Sequence, residues 1–130
     1  MKITIETIPH AALRYPTVGD WSLHGNGDIQ IRVSEMGDWR KEAAVAVHEL
    51  VEALLCRNDG VSQSAVNAFD VGYESVRPPM GIPGWDMPEP GDAPTAPYHR
   101  QHCFATAVER MLIAAMGLSW AEYDAAVEAL

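Results

Sequence analysis

Apolar and polar residues alternate with a period of two in the first third of the chain and recur at helical spacing in the rest. Ile3 and Ile5 alternate with Lys2, Thr4 and Glu6, which predicts a short strand ended by Pro9. Trp21–His24 and Ile29–Val33 are two more strand candidates on either side of Gly25-Asn26-Gly27-Asp28. Asn-Gly between such runs is a strong hairpin signal, because it tolerates the positive φ angles of a tight turn. Ile29, Ile31 and Val33 share one face of the later strand. Residues 1–35 therefore read as short antiparallel strands.

Asp38 is placed to cap a helix over about 39–57, which Asn58-Asp59-Gly60 ends. Ala44, Val47, Leu50, Val51, Leu54 and Leu55 form its wide apolar stripe, and His48 and Glu52 lie at the border. Ser62 or Ser64 caps a helix over about 64–76 that repeats Val66, Phe69, Tyr73 and Val76. Residues 77–97 are dense in proline and glycine, so the expectation is a long loop without regular structure that covers a site or is mobile. A helix over about 98–116 follows, stopped by Gly117, with His102, Thr106 and Glu109 on one face. Ser119 and Glu122 make a capping box for a last helix over about 120–129 that can pack Trp120, Tyr123 and Val127. The pattern predicts an α+β fold, an N-terminal hairpin followed by about four helices, in one domain over residues 1–130.

Composition narrows the classes of function. The 130 residues are 48% hydrophobic, enough to bury a core. A formal charge of −9 argues against a protein that neutralises nucleic-acid phosphates, and only Arg40, Lys41 and Arg57 approach a basic cluster. No run approaches the ~20 apolar residues of a membrane span, and the first residues lack the apolar core of a secretory signal. The expectation is a cytoplasmic protein that meets small ligands, cations or a protein partner. Cys56 and Cys103 are too few for a disulfide framework and read as small apolar residues inside helices.

The chemistry concentrates in His48-Glu49-Leu50-Val51-Glu52. His48 and Glu52 stand four apart and project from the same side of a helix, which is chelating spacing. Glu49 is rotated by about 100° from His48 and is set to act on a water rather than on the ion itself. A second helix repeats the habit, with His102 and Glu109 among Ala, Phe, Val, Met and Leu. His102 is the first choice for a third metal ligand, with His99 and Glu109 as alternates; Glu109 can also orient another ligand. Either Glu109 or Cys103 could stand in for Glu52. Asp70 borders the preceding helix, as a partner of a ligand or in a salt bridge near Arg77.

This five-residue segment resembles the zincin metallopeptidase helix, H-E-x-x-H, in an H-E-x-x-E variant with Glu52 in place of the second histidine. The resemblance covers roughly residues 28–110. It implies zinc held by His48, Glu52 and His102, and Glu49 activating metal-bound water toward a peptide or amide carbonyl. It gives Tyr98 the role of oxyanion donor, and Asp28–Val33 that of the edge strand along a substrate cleft. The short Ala-rich chain with its proline loop also resembles small bacteriophage proteins, which would place it in a host cytoplasm.

Two other readings compete. Glu49, Glu52, Asp70 and Glu109 could form a carboxylate cluster for Mg²⁺ or Mn²⁺ in a nucleotide phosphohydrolase, since hard cations take oxygen ligands. A non-enzymatic acidic protein could instead keep the metal as a structural staple and bind or inhibit another protein.

Overall fold

A computed structural model describes residues 1–130. The fold is α+β. Strands β1 (Ile3–Ile8), β2 (Gly19–Leu23) and β3 (Ile29–Ser34) precede helices α1 (Trp39–Asp59), α2 (Gln63–Ser75), α3 (His99–Ala115) and α4 (Trp120–Glu128). Short 3₁₀ turns occupy His10–Ala12 and Pro90–Asp92.

The expected hairpin is β2–β3, paired antiparallel with Trp21 opposite Ile31. Gly27 alone takes a positive φ in its turn, while Asn26 contributes its side chain, which accepts the Asp28 N–H. The first strand departs from expectation. The sheet order is β1-β3-β2, and β1 runs parallel to β3. The segment after Pro9 crosses the end of the sheet, so β2 returns on the far side of β3 instead of turning back beside β1. Leu13 is buried along this crossing and Arg14 forks onto Asp20.

This topology also corrects the expected edge strand. β3 is central, with Ile29, Ile31 and Val33 buried beneath α1, and the edge nearest α1 is β2. Its outer edge is partly covered: the Gln63 side-chain amide accepts from Leu23 N at 3.0 Å and donates to Trp21 O at 3.0 Å, as a neighbouring strand would.

Asp38 caps α1 by accepting from Arg40 N, and Gly60 closes it in the left-handed conformation at φ 72°. The helix packs most extensively on α3 and lays its other side on β2 and β3. Sandwiching moves the buried face away from the expected stripe. Ala44, Val45, His48, Glu52, Ala53 and Cys56 are buried, whereas Leu54 is exposed and Val47, Leu50, Val51 and Leu55 are half-buried. His48 and Glu52 thus sit at the centre of the buried face, not at its border. Ser62 caps α2 through Ala65 N, and Ser119 caps α4 through Glu122 N. Cys56 is buried, but Cys103 is exposed, contrary to its reading as a core residue. No helix is long and apolar enough to cross a membrane.

Candidate metal centre

α1 and α3 bring together the three residues that the sequence singles out as first-choice ligands. His48, Glu52 and His102 are 8, 5 and 5% exposed, and each offers one ligand atom to a common point. Glu52 Oε2 lies 3.2 Å from His48 Nε2 and 2.9 Å from His102 Nδ1. Ligand bonds of about 2.0–2.2 Å in a tetrahedral zinc site put neighbouring donor atoms about 3.3–3.6 Å apart, so Glu52 Oε2 and the two imidazoles need only draw apart by a few tenths of an ångström to admit a divalent ion.

The atoms not turned to that point are held by other groups. His48 Nδ1 bonds Glu109 Oε1 at 2.9 Å, and Tyr123 donates its hydroxyl to the other oxygen of the same carboxylate. His102 Nε2 lies 3.2 Å from Asp92 Oδ1 and 3.7 Å from Glu89 Oε2. Trp21 Nε1 donates to Glu52 Oε1 at 2.9 Å, leaving Oε2 to the two imidazoles. Each histidine thus has one nitrogen facing the shared point and the other facing a carboxylate, the arrangement that fixes tautomer and ring orientation in metal sites.

Burial opposes a charged His48, but hydrogen bonds to Glu109 and Glu52 outweigh it and raise its pKa well above the ordinary value. His102 is raised in the same way, burial being overcome mainly by its bond to Glu52. Burial works against the Glu52 carboxylate as well, but hydrogen bonds from His102 and His48 hold its pKa down to about 2. In each member of the triad the hydrogen bonds shift the pKa toward the charged form, so a cation bound there competes with protons on the imidazoles.

Glu49 points toward β2, not into the triad. Its carboxyl and the Val45 side chain lie so close to Gly19 that a Cβ there would come within 2.7 Å of Glu49 Cγ and 2.8 Å of Val45 Cγ1. Glu49 is half-buried and pairs with no hydrogen-bonding or cationic side chain. Burial and the neighbouring charge of Glu52 push its pKa well above the carboxylate range, with His48 pulling the other way.

The remaining candidates separate. Tyr98 is buried and donates its hydroxyl to Asp70, whose carboxyl is pushed up to about 6, chiefly by burial. Asp70 therefore pairs with Tyr98 and not with Arg77, which forks onto Glu74. His99 turns away from the triad: its Nδ1 bonds Gly91 O at 2.9 Å, with Cys103 Sγ beside the ring. Glu109 stands behind His48 and meets the centre only through that imidazole.

The sequence reading missed four participants. Trp21 and Tyr123 read as packing residues because nothing in their spacing reveals what an indole N–H or a phenol reaches. Asp92 and Gly91 lie in the proline-rich segment, where no periodicity points to a partner. That segment is not wholly irregular: the turn Pro90–Asp92 seats Gly91 against His102 so closely that a Cβ would overlap the imidazole. Only a glycine permits this approach.

Compared with protein-family models, curated proteins and solved structures, the chain has no significant match.

Proposed function

We propose that this protein is a zinc-dependent hydrolase of zincin type acting on a peptide or amide bond. The observation that carries the proposal is the convergence of His48 Nε2, Glu52 Oε2 and His102 Nδ1, with Glu49 next to the first ligand and outside the triad. Zinc bound there supplies Lewis-acid polarisation of the carbonyl and acidifies water at neutral pH. Two imidazoles and one carboxylate are a donor set that zinc accepts with a position left open.

The chain's own residues account for the rest. Glu109 and Asp92 hold the two imidazoles in register from behind, and Trp21 turns the Glu52 carboxylate. Glu49, adjacent to His48 on α1 and with its pKa raised well above the ordinary carboxylate value chiefly by burial, would take the proton of the attacking water and return it to the departing amine. Tyr98 has the weaker claim to the oxyanion, because its hydroxyl is engaged by Asp70 and that bond must first be exchanged.

A second reading has its own observation. The triad is buried, and two surface grooves lie away from it, one along Leu55, Arg100 and Phe104 and one beside His10 and Arg14. A closed site of this kind suits a metal that staples α1 to α3 in a protein-binding module. Metal content of untagged protein, wild type against His48→Ala, tests the site itself, with about one equivalent of zinc expected to vanish in the variant. Glu49→Gln then separates the readings: retained metal with turnover abolished supports the hydrolase, and metal-loaded wild-type protein inert toward peptide and amide substrates supports the staple.

A further inference from the structure

The outer edge of β1 is bare. β1 pairs only with β3, its residues Ile3–Thr7 are exposed, and no side chain covers its other edge as Gln63 covers that of β2. Ile29 N bonds Lys2 O and Glu35 N bonds Ile8 O, so the even-numbered residues of this strand turn their backbone groups to β3. Ile3, Ile5 and Thr7 consequently turn their N–H and C=O groups outward. An unpaired edge without proline, bulge or inward-pointing charge is a template for another strand.

The apolar side chains agree with this. Ile3 and Ile5 pair with Ile29 and Ile31 and share their face of the sheet, yet remain 39 and 50% exposed while Ile29 and Ile31 are buried. α1 lies over β2 and β3 and stops short of β1. Lys2, Thr4 and Glu6 occupy the opposite face, where Glu6 Oε1 is engaged by Gln30 at 3.2 Å and by Arg32 at 3.6 Å, leaving Oε2 free.

We infer that β1 is a self-association edge, at which a second copy of this chain adds its own β1 antiparallel across a two-fold axis. The strand is complementary to itself in one register. With Thr4 opposite Thr4 of the other copy, Ile3 meets Ile5 and Lys2 meets Glu6, each pair occurring twice. The outward-facing residues Ile3 and Ile5 are then the ones that exchange backbone hydrogen bonds, as the parity of the β1–β3 ladder requires. A slip by two residues in one sense puts Lys2 against Ile8 and Glu6 against Thr4, and in the other puts Ile5 against Met1. Each slip still sets one isoleucine on itself, Ile5 in the first and Ile3 in the second, but only the central register pairs the charges and engages both exposed isoleucines of each copy. Each strand extends the other's sheet and covers the apolar strip that α1 leaves open.

Sedimentation equilibrium over a wide concentration range tests the inference on the full chain. The wild type is expected to form a dimer, and Ile5→Lys to be monomeric with an unchanged circular dichroism spectrum. Glu6→Lys sets Lys against Lys2 twice and is expected to weaken the dimer about tenfold, and Lys2→Glu combined with Glu6→Lys to restore it. The single and double variants lose the same Glu6 contacts with Gln30 and Arg32, so a difference between them reports the cross-copy pair. A wild type that stays monomeric throughout overturns the inference. So does a dimer indifferent to Ile5→Lys, or a double variant no tighter than Glu6→Lys.

Discussion

His48 and Glu109, 61 residues apart in sequence, are hydrogen bonded across the α1–α3 interface, Nδ1 to Oε1 at 2.9 Å. The bond fixes which imidazole nitrogen is left for a cation, and Tyr123 from α4 fixes the carboxylate in turn. Three helices therefore converge on the orientation of one ring. Glu109→Gln keeps an acceptor at this position but removes the charge that makes the imidazole a stronger donor to metal. Zinc affinity measured by competition with a chelator is expected to fall about 10–100-fold. An unchanged affinity would mean that Glu109 is only a packing partner.

The metal-free centre makes stability depend on pH in a defined sense. The raised pKa values of His48 and His102 contribute stability that is fully present below the ordinary histidine value of 6.5 and is lost as pH rises through the raised ones. Glu52, held down to about 2, contributes stability present above 4.5 and lost as pH falls toward 2. Glu49 works in the same sense, since its raised pKa penalises the charged form as pH climbs above 4.5 toward that raised pKa. Chelator-treated protein is expected to have its highest Tm in mildly acidic solution and a falling Tm on the alkaline side. The increase in Tm on adding zinc should grow over the same range, because zinc displaces protons from the imidazoles. Calorimetric scans at a series of pH values, with and without zinc, check both trends, and a metal-free Tm that rises through the alkaline range contradicts the raised pKa values of the two histidines.

Local signals in the sequence predict the caps at Asp38 and Ser119, narrow the α2 cap to Ser62 or Ser64, and predict the Gly60 stop, the β2–β3 hairpin and the meeting of His48, Glu52 and His102, because each rests on spacing within one element or on a face shared by two. The path of β1 was not legible, since Ile3 and Ile5 alternate identically in a parallel and an antiparallel ladder. The buried face of α1 is hidden from sequence patterning for a related reason. The helix is apolar on several sides, and only contact with α3 on one side and the sheet on the other selects His48 and Glu52 as the centre of its hidden face. The roles of Trp21, Asp92 and Tyr123 depend on side-chain reach between distant segments, which no periodicity encodes.

The fit of Gly91 on His102 predicts a coupling between the proline-rich segment and the centre. A methyl group there collides with the imidazole, so Gly91→Ala must either tilt the ring or lift the turn that carries Glu89 and Asp92. The expected cost is about 1–3 kcal/mol of stability, as for other overpacked sites. Weaker zinc binding and faster proteolysis within residues 77–97 should accompany it. Loss of stability with zinc affinity intact would show that the turn covers His102 without helping to position it.

Gly19 offers a way to disturb Glu49 without touching its charge. The space a Cβ would need is held by Glu49 Cγ at 2.7 Å, Glu49 Oε1 at 2.8 Å and Val45 Cγ1 at 2.8 Å. Val45 is buried and has little freedom to yield, whereas the half-buried Glu49 can rotate. Gly19→Ala is therefore expected to displace the Glu49 carboxylate and cost about 1–3 kcal/mol of stability, leaving the triad intact. If Glu49 is the base, this variant binds zinc as the wild type does and loses most of its kcat, and Glu49→Gln loses more. Because neither substitution touches a ligand atom, equal zinc content in the three proteins is the control. With that control satisfied, full activity in Gly19→Ala would mean that the carboxylate tolerates displacement, and full activity in Glu49→Gln would remove Glu49 from the chemistry altogether.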